Sequence, residues 1–162
     1  MSAGRRPAPS PEQLRTVATV HLPYELRTLL GQVVILVRWS KARDVQWDAL
    51  LEASLLHIRI LHEFLFTKPS RDDVRAVHFA DHWRPADHKV LAEDELRDLN
   101  AQLFHLVGRR RESRDWEVGR LTHVACSEFC EFVSVVDEVW QPHFTDAHDL
   151  ARIGVLAEFH SD

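Results

Sequence analysis

At 162 residues the chain is long enough for one domain with a sizeable core, and 45% hydrophobic with 28% charged residues is the balance of a soluble globular protein. A formal net charge of −5 excludes a global pull toward nucleic acid or an anionic membrane, so any basic site has to be local. Only five glycines, all scattered, exclude glycine-rich phosphate loops and argue against a sheet built on tight hairpins.

Residues 1–11, with Pro7, Pro9 and Pro11, read as a flexible leader, and 12–162 as a single helical-bundle domain. Arg5 and Arg6 are followed by no apolar run, so no secretion signal is expected. Ser10 ahead of Pro11, Glu12 and Gln13 has the form of an N-cap and first helical turn, opening a short helix over 12–21. Pro23 is expected to restart or kink it. From 24 to 41, Leu26, Leu29, Leu30, Val33, Val34 and Val37 recur at steps of three and four, the spacing of a helix. The longest unbroken aliphatic run, Val33 to Val37, falls well short of the ~20 residues of a bilayer span, so no membrane partner is expected.

Asp44 is placed to cap a helix over 45–66, which Lys68-Pro69 ends. The stretch 70–87 is the least regular, with room for one short helix anchored by Val74, Val77 and Phe79. Further helices are predicted over 91–111, from Ser113 or Asp115 to Trp140, and over 145–158 with Thr145 as cap and Leu150, Ile153 and Ala157 inward. Four long helices with one or two short ones predict an all-α, antiparallel up-and-down bundle. Cys126 and Cys130 lie one helical turn apart with side chains in parallel, a poor disulfide geometry, so a reduced, cytoplasmic protein is expected.

The segment 49–66 is apolar on nearly every side, as buried helices are, yet carries Glu52, His57, Arg59, His62 and Glu63. At 100° per residue, Glu52, Arg59 and Glu63 share one stripe, and Arg59 and Glu63 are one turn apart. The plain reading is a neutralised salt-bridge network. The sharper one is an arginine held by carboxylates and presented to an anion, because its planar fork binds phosphate or carboxylate through two hydrogen bonds. His57 falls on a different face. Asn100, among Leu96, Leu103 and Phe104, is the amide the sequence nominates as partner for the stripe, while His105 projects from the opposite side of its helix.

Arg109, Arg110 and Arg111 end a predicted helix, where cations are favoured by the macrodipole; the alternative is a local phosphate patch able to grip RNA. His78, Asp81 and His82 form an i, i+4 histidine pair with a carboxylate, a weak metal-site pattern. His123, Cys126 and Cys130 span about 10 Å of helix, too far for one tetrahedral ion. No motif calls for a cofactor.

Leu50-Leu51-Glu52, His57-Ile58-Arg59, Phe64-Leu65, Asp72-Asp73-Val74, Leu99-Asn100, His105-Leu106 and Trp116 occur in an order that resembles a group of small, uncharacterised bacterial helical proteins. More loosely, the arrangement resembles the HEPN superfamily of four-helix bundles, whose nucleases carry arginine four to six residues before histidine. Leu99, Asn100 and Ala101 stand where that arginine would precede His105, and His62 follows Arg59 by only three. The resemblance implies a helical bundle and, beyond it, RNA binding or cleavage with Arg59, His57, Asn100 and His105 lining the site. The expectation from the sequence is therefore a non-catalytic interaction or regulatory module that self-associates. The alternatives are a HEPN-like RNA-binding or RNA-cleaving protein, and a metal-dependent hydrolase.

Overall fold

A computed structural model describes residues 8–39, 44–69, 73–83, 90–104, 116–157 and 159. The described residues are all-α with no strand. Helix α1 spans Pro11–Arg38, α2 Val45–Phe66, α3 Glu93–Phe104, α4 Val118–Ser134 and α5 Thr145–Leu156. Short 3-10 turns lie at Ala76–His78 and Gln141–Phe144.

A regular α-helix restarts at Leu22 with Pro23 in its first turn, and the chain does not leave the helical path there. The helix passes through Pro23 by way of a π-helical turn at Val17–His21, in which the Leu22 N–H reaches back to the Val17 carbonyl. A proline in a regular helix presses on the carbonyl four residues earlier and leaves it without a donor. The wider π turn lies over that carbonyl and lets the chain continue. The start is as expected: Ser10 Oγ accepts from the Gln13 N–H, and Gln13 Oε1 accepts from the Ser10 N–H. Such a reciprocal cap satisfies two donors at once.

Helix α2 begins where Asp44 Oδ1 accepts from the Gln46 and Trp47 amides. Near its other end, Trp83 Nε1 donates to the Leu65 carbonyl at 2.8 Å, which ties down the loop that follows. Helix α4 is shorter than predicted. The backbone turns away after Ser134, and the Asp137 N–H donates to the Phe79 carbonyl instead of continuing the helix. Thr145 is the first residue of α5 rather than its cap, and its hydroxyl donates to the Pro142 carbonyl.

Helix α5 packs Leu150 on the core as expected, but its most buried face is a different one. Ala147, Ala151 and Gly154 are buried, whereas Ile153 is 57% exposed. The reason is close approach: a Cβ at Gly154 would meet Cys126 Sγ at 2.3 Å and a Leu30 methyl at 3.0 Å. A stripe of small residues brings the axis of α5 near both α4 and α1, which larger side chains would prevent.

The bundle is antiparallel where the contacts fix direction. Glu25 of α1 meets His57 of α2, and Gln32 meets Ser54 further along. The Cys126–Gly154 approach and that of Gly119 to Phe159 orient α4 against α5 in the same way. An aromatic core closes one end. Phe64, Phe129 and Phe132 from α2 and α4 pack edge-on with Phe79 and Phe144, and Trp83 and Trp140 flank them. Each buried phenylalanine contributes about 1.5–3 kcal/mol by area alone, so this cluster holds the irregular 76–83 segment to the helices.

Candidate functional site

The polar residues of α2 form two networks on opposite sides of the helix. His57, 8% exposed, points to α1, with its Nδ1 2.5 Å from Glu25 Oε2 and its ring edge-on to Tyr24. Arg59 points to the other flank. Its Nε donates to Glu63 Oε1 at 2.8 Å, the second Glu63 oxygen lies 3.9 Å from Arg75, and Arg75 pairs with Asp73 at 2.9 Å. Arg59 and Glu63 side chains retain only 23% and 32% exposure. Glu52, two turns away, makes no ion pair with Arg59 among the described residues.

Asn100 does not bridge to this stripe. It lines a shallow depression of about 410 Å³ with Glu93, Leu96, Arg97 and Ala101, and its Oδ1 is buried without a donor among the described residues. His57, Arg59 and Asn100 therefore do not converge on one groove. His105, Arg109, Arg110 and Arg111 lie outside the described residues.

The metal-site pattern is not assembled either. His78 sits in a 3-10 turn with its Nδ1 accepting from the Arg75 N–H, while Asp81 and His82 are exposed in the next turn. Without a continuous helix, the i, i+4 spacing places nothing on a common face. Among the described residues no group of three or more histidine, cysteine or acidic side chains could hold a metal ion. Cys126 is fully buried against Gly154; desolvation, with a smaller effect of neighbouring Cys130, pushes its thiol pKa up to about 12. Burial also raises Cys130. Neither is poised as a nucleophile, which must be a thiolate.

Three polar residues with structural roles were not singled out by spacing. Glu25 is the partner of His57, His62 Nδ1 accepts from the Leu91 N–H, and Glu95 joins the Ala92 N–H to Arg120. The contacts of Glu25 with His57, His62 with Leu91 and Glu95 with Arg120 are long-range, and no local pattern announces them; only the reach of Glu95 back to the Ala92 N–H is local, at the start of α3.

The feature with the greatest surface consequence is apolar. On α1, Tyr24, Ile35 and Trp39 are 57%, 40% and 45% exposed, and a Cβ added at Gly31, between them, would meet no atom within 4 Å. On α2, Val45 and Leu56 are 84% and 39% exposed, with Ala49, Ala53 and Ile60 on the same stripe at steps of three and four. The two stripes lie on one side of the α1–α2 layer. Ile35, Arg38 and Trp39 line a depression of about 520 Å³ together with Gln46, Ala49 and Leu50. Contiguous apolar surface of this kind marks interaction sites. The signal was present in the sequence as the all-round apolarity of 49–66, but it could not be divided into inward and outward sides there.

By length and composition α1, with mean hydropathy 1.2, could cross a membrane. In this fold Leu22, Leu26, Leu29 and Val33 pack into the core, while only 33% of the apolar window of α1 is buried. No family model matches the chain, and no curated protein or solved structure is significantly similar to it.

Proposed function

We propose that this protein is a non-catalytic helical interaction module that works through the apolar face shared by α1 and α2. The observation that carries this reading is the exposure of Tyr24, Ile35 and Trp39 on one helix beside Val45 and Leu56 on its neighbour. Exposing large apolar side chains along two adjacent helices gains nothing for the isolated fold. Covering them releases ordered water and contributes about 25 cal/mol for each Å² of apolar surface. A cytoplasmic location belongs to the same reading, supported by two cysteines that are both free and helix-bound.

The RNA-cleaving alternative needs a histidine and an arginine at one phosphate, as general acid or base and as charge stabiliser. His57 and Arg59 are instead held in separate ion pairs on opposite flanks of α2. The metal-dependent hydrolase reading is weakened because, among the described residues, His78, Asp81 and His82 do not form a group able to hold a metal ion.

Two measurements test the proposal. RNA cleavage by the wild type and by Arg59→Ala should both stay at background. A photo-crosslinker placed at Ile35 or Leu56 in cells should give protein adducts, while one at exposed Asp149 on α5 should not. Cleavage that depends on Arg59, or adducts spread evenly over all three positions, would overturn it.

A further inference from the structure

Resting on that interaction face, we propose that its occupant is a second copy of this chain, with α1 of each copy lying antiparallel on α2 of the other. The argument is charge complementarity along the rims. The outer rim of α1 carries exposed Arg27 and Arg38, and the outer rim of α2 carries Asp48 and Glu52; none of the four has an ion-pair partner among the described residues. The α2 rim also carries Arg59, which Glu63 neutralises, so the rims are net cationic on one side of the apolar face and net anionic on the other.

Two copies related by a two-fold axis can stack these layers in two simple ways. With the axis perpendicular to the helices, α1 lies antiparallel on α1, so Arg27 of one copy faces Arg38 of the other while the acidic rims face each other. With the axis along the helices, α1 lies on the partner's α2, and each cationic rim meets an acidic one. Electrostatics selects the second arrangement, because like charges brought together on forming a contact oppose it.

The heights agree. The Glu25–His57 and Gln32–Ser54 contacts fix the register of α1 against α2. In that register Gly31 is level with Ala53, Ile35 with Ala49, and Arg38 with Asp48, within a residue or two. A rotation about an axis along the helices preserves height, so these become the facing pairs between copies. Gly31 and Ala53 let the layers approach at the centre, with the large side chains Tyr24 and Trp39 at the two ends. The face is about 22 Å long and about 20 Å wide. That is about 450 Å² in projection, which rises toward the roughly 600 Å² per partner of the smaller stable interfaces once side-chain relief is included.

The test is charge exchange, read by sedimentation equilibrium of full-length protein, with far-UV circular dichroism to verify folding. The wild type is expected to be a dimer. Arg38→Asp alone and Asp48→Arg alone should each weaken the dimer about tenfold or more, because each variant places like charges at both symmetric contacts. Mixing the two variants should restore association as a heterodimer, since both contacts then pair opposite charges. Folded variants that dimerise as the wild type does, or a mixture that does not recover, overturn the docking. A wild type that stays monomeric at the limit of its solubility overturns self-association. In that case adducts at Ile35 and Leu56 to a different protein keep the interaction module, and sedimentation with phosphatidylcholine vesicles assigns the face to a bilayer. A dimer indifferent to both Ile35→Glu and Leu56→Glu removes the face itself, and with it the functional reading on which the docking rests.

Discussion

His57 Nδ1 and Glu25 Oε2 lie 2.5 Å apart and join α2 to α1 across thirty-two residues of sequence. Both side chains are nearly enclosed, at 10% and 15% exposure. A buried polar group left without its partner costs about 1–3 kcal/mol. Glu25→Ala is therefore expected to lower unfolding free energy by about that amount in urea titration, with little further loss when His57→Ala is added. Additive losses would show that the two side chains do not act as a pair.

On the opposite flank, Glu63 is shared between Arg59 and Arg75. The site is about one-third exposed, so solvent screens it, and Glu63→Gln is expected to cost only about 0.5–1 kcal/mol. The loss should shrink in high salt. A salt-independent loss of several kcal/mol would instead place this network in a sealed interior.

Gly154 is the point of closest approach between α5 and α4. Gly154→Ala drives a methyl into Cys126 Sγ and against Leu30. Overpacking of this kind costs about 1–3 kcal/mol. Thermal unfolding should show the loss, and Cys126→Ala in the same chain should recover part of it by removing the sulfur. An unchanged melting temperature for Gly154→Ala would mean that α5 sits further from α4.

Cys126 also sets an alkaline limit. Its ordinary pKa of 9.0 rises to about 12 in the fold because burial disfavours the thiolate. The unfolded chain therefore loses this proton first, and folding stability falls as pH rises between those two values. The slope is about 1.4 kcal/mol per pH unit at most. Below pH 9 the contribution is fully present. Urea titrations across that range should show a steeper alkaline decline for the wild type than for Cys126→Ala. Parallel declines would show that the thiolate is solvated in the folded state.

Local signals were legible where the chemistry was local. The reciprocal Ser10–Gln13 cap and the Asp44 cap of α2 each depend on residues within three positions, and the sequence located both helix starts. Pro23 marked where the regular helix restarts, but the form of that restart depends on the turn before it, the π turn at Val17–His21. The predicted α4 ran too long because Val136 keeps the apolar rhythm and is buried, but in a turn held by the Phe79 carbonyl rather than in a helix. For α5 Leu150 was placed inward correctly and Ile153 was not, since hydrophobic size does not register the need for close approach at Gly154.

The amino-acid sequence by itself determined that this protein is helical and where most helices begin, because caps and three-to-four-residue spacing act within a turn or two. It also determined that 49–66 is apolar on too many sides for a simple surface helix. Only the tertiary structure decided which of those sides is core and which is left exposed. It sent His57 to Glu25 and Arg59 to Glu63, and set the outer stripe of α2 beside that of α1. The physical reason is that burial and ion pairing depend on which helices become neighbours, and periodicity along one helix carries no record of that choice.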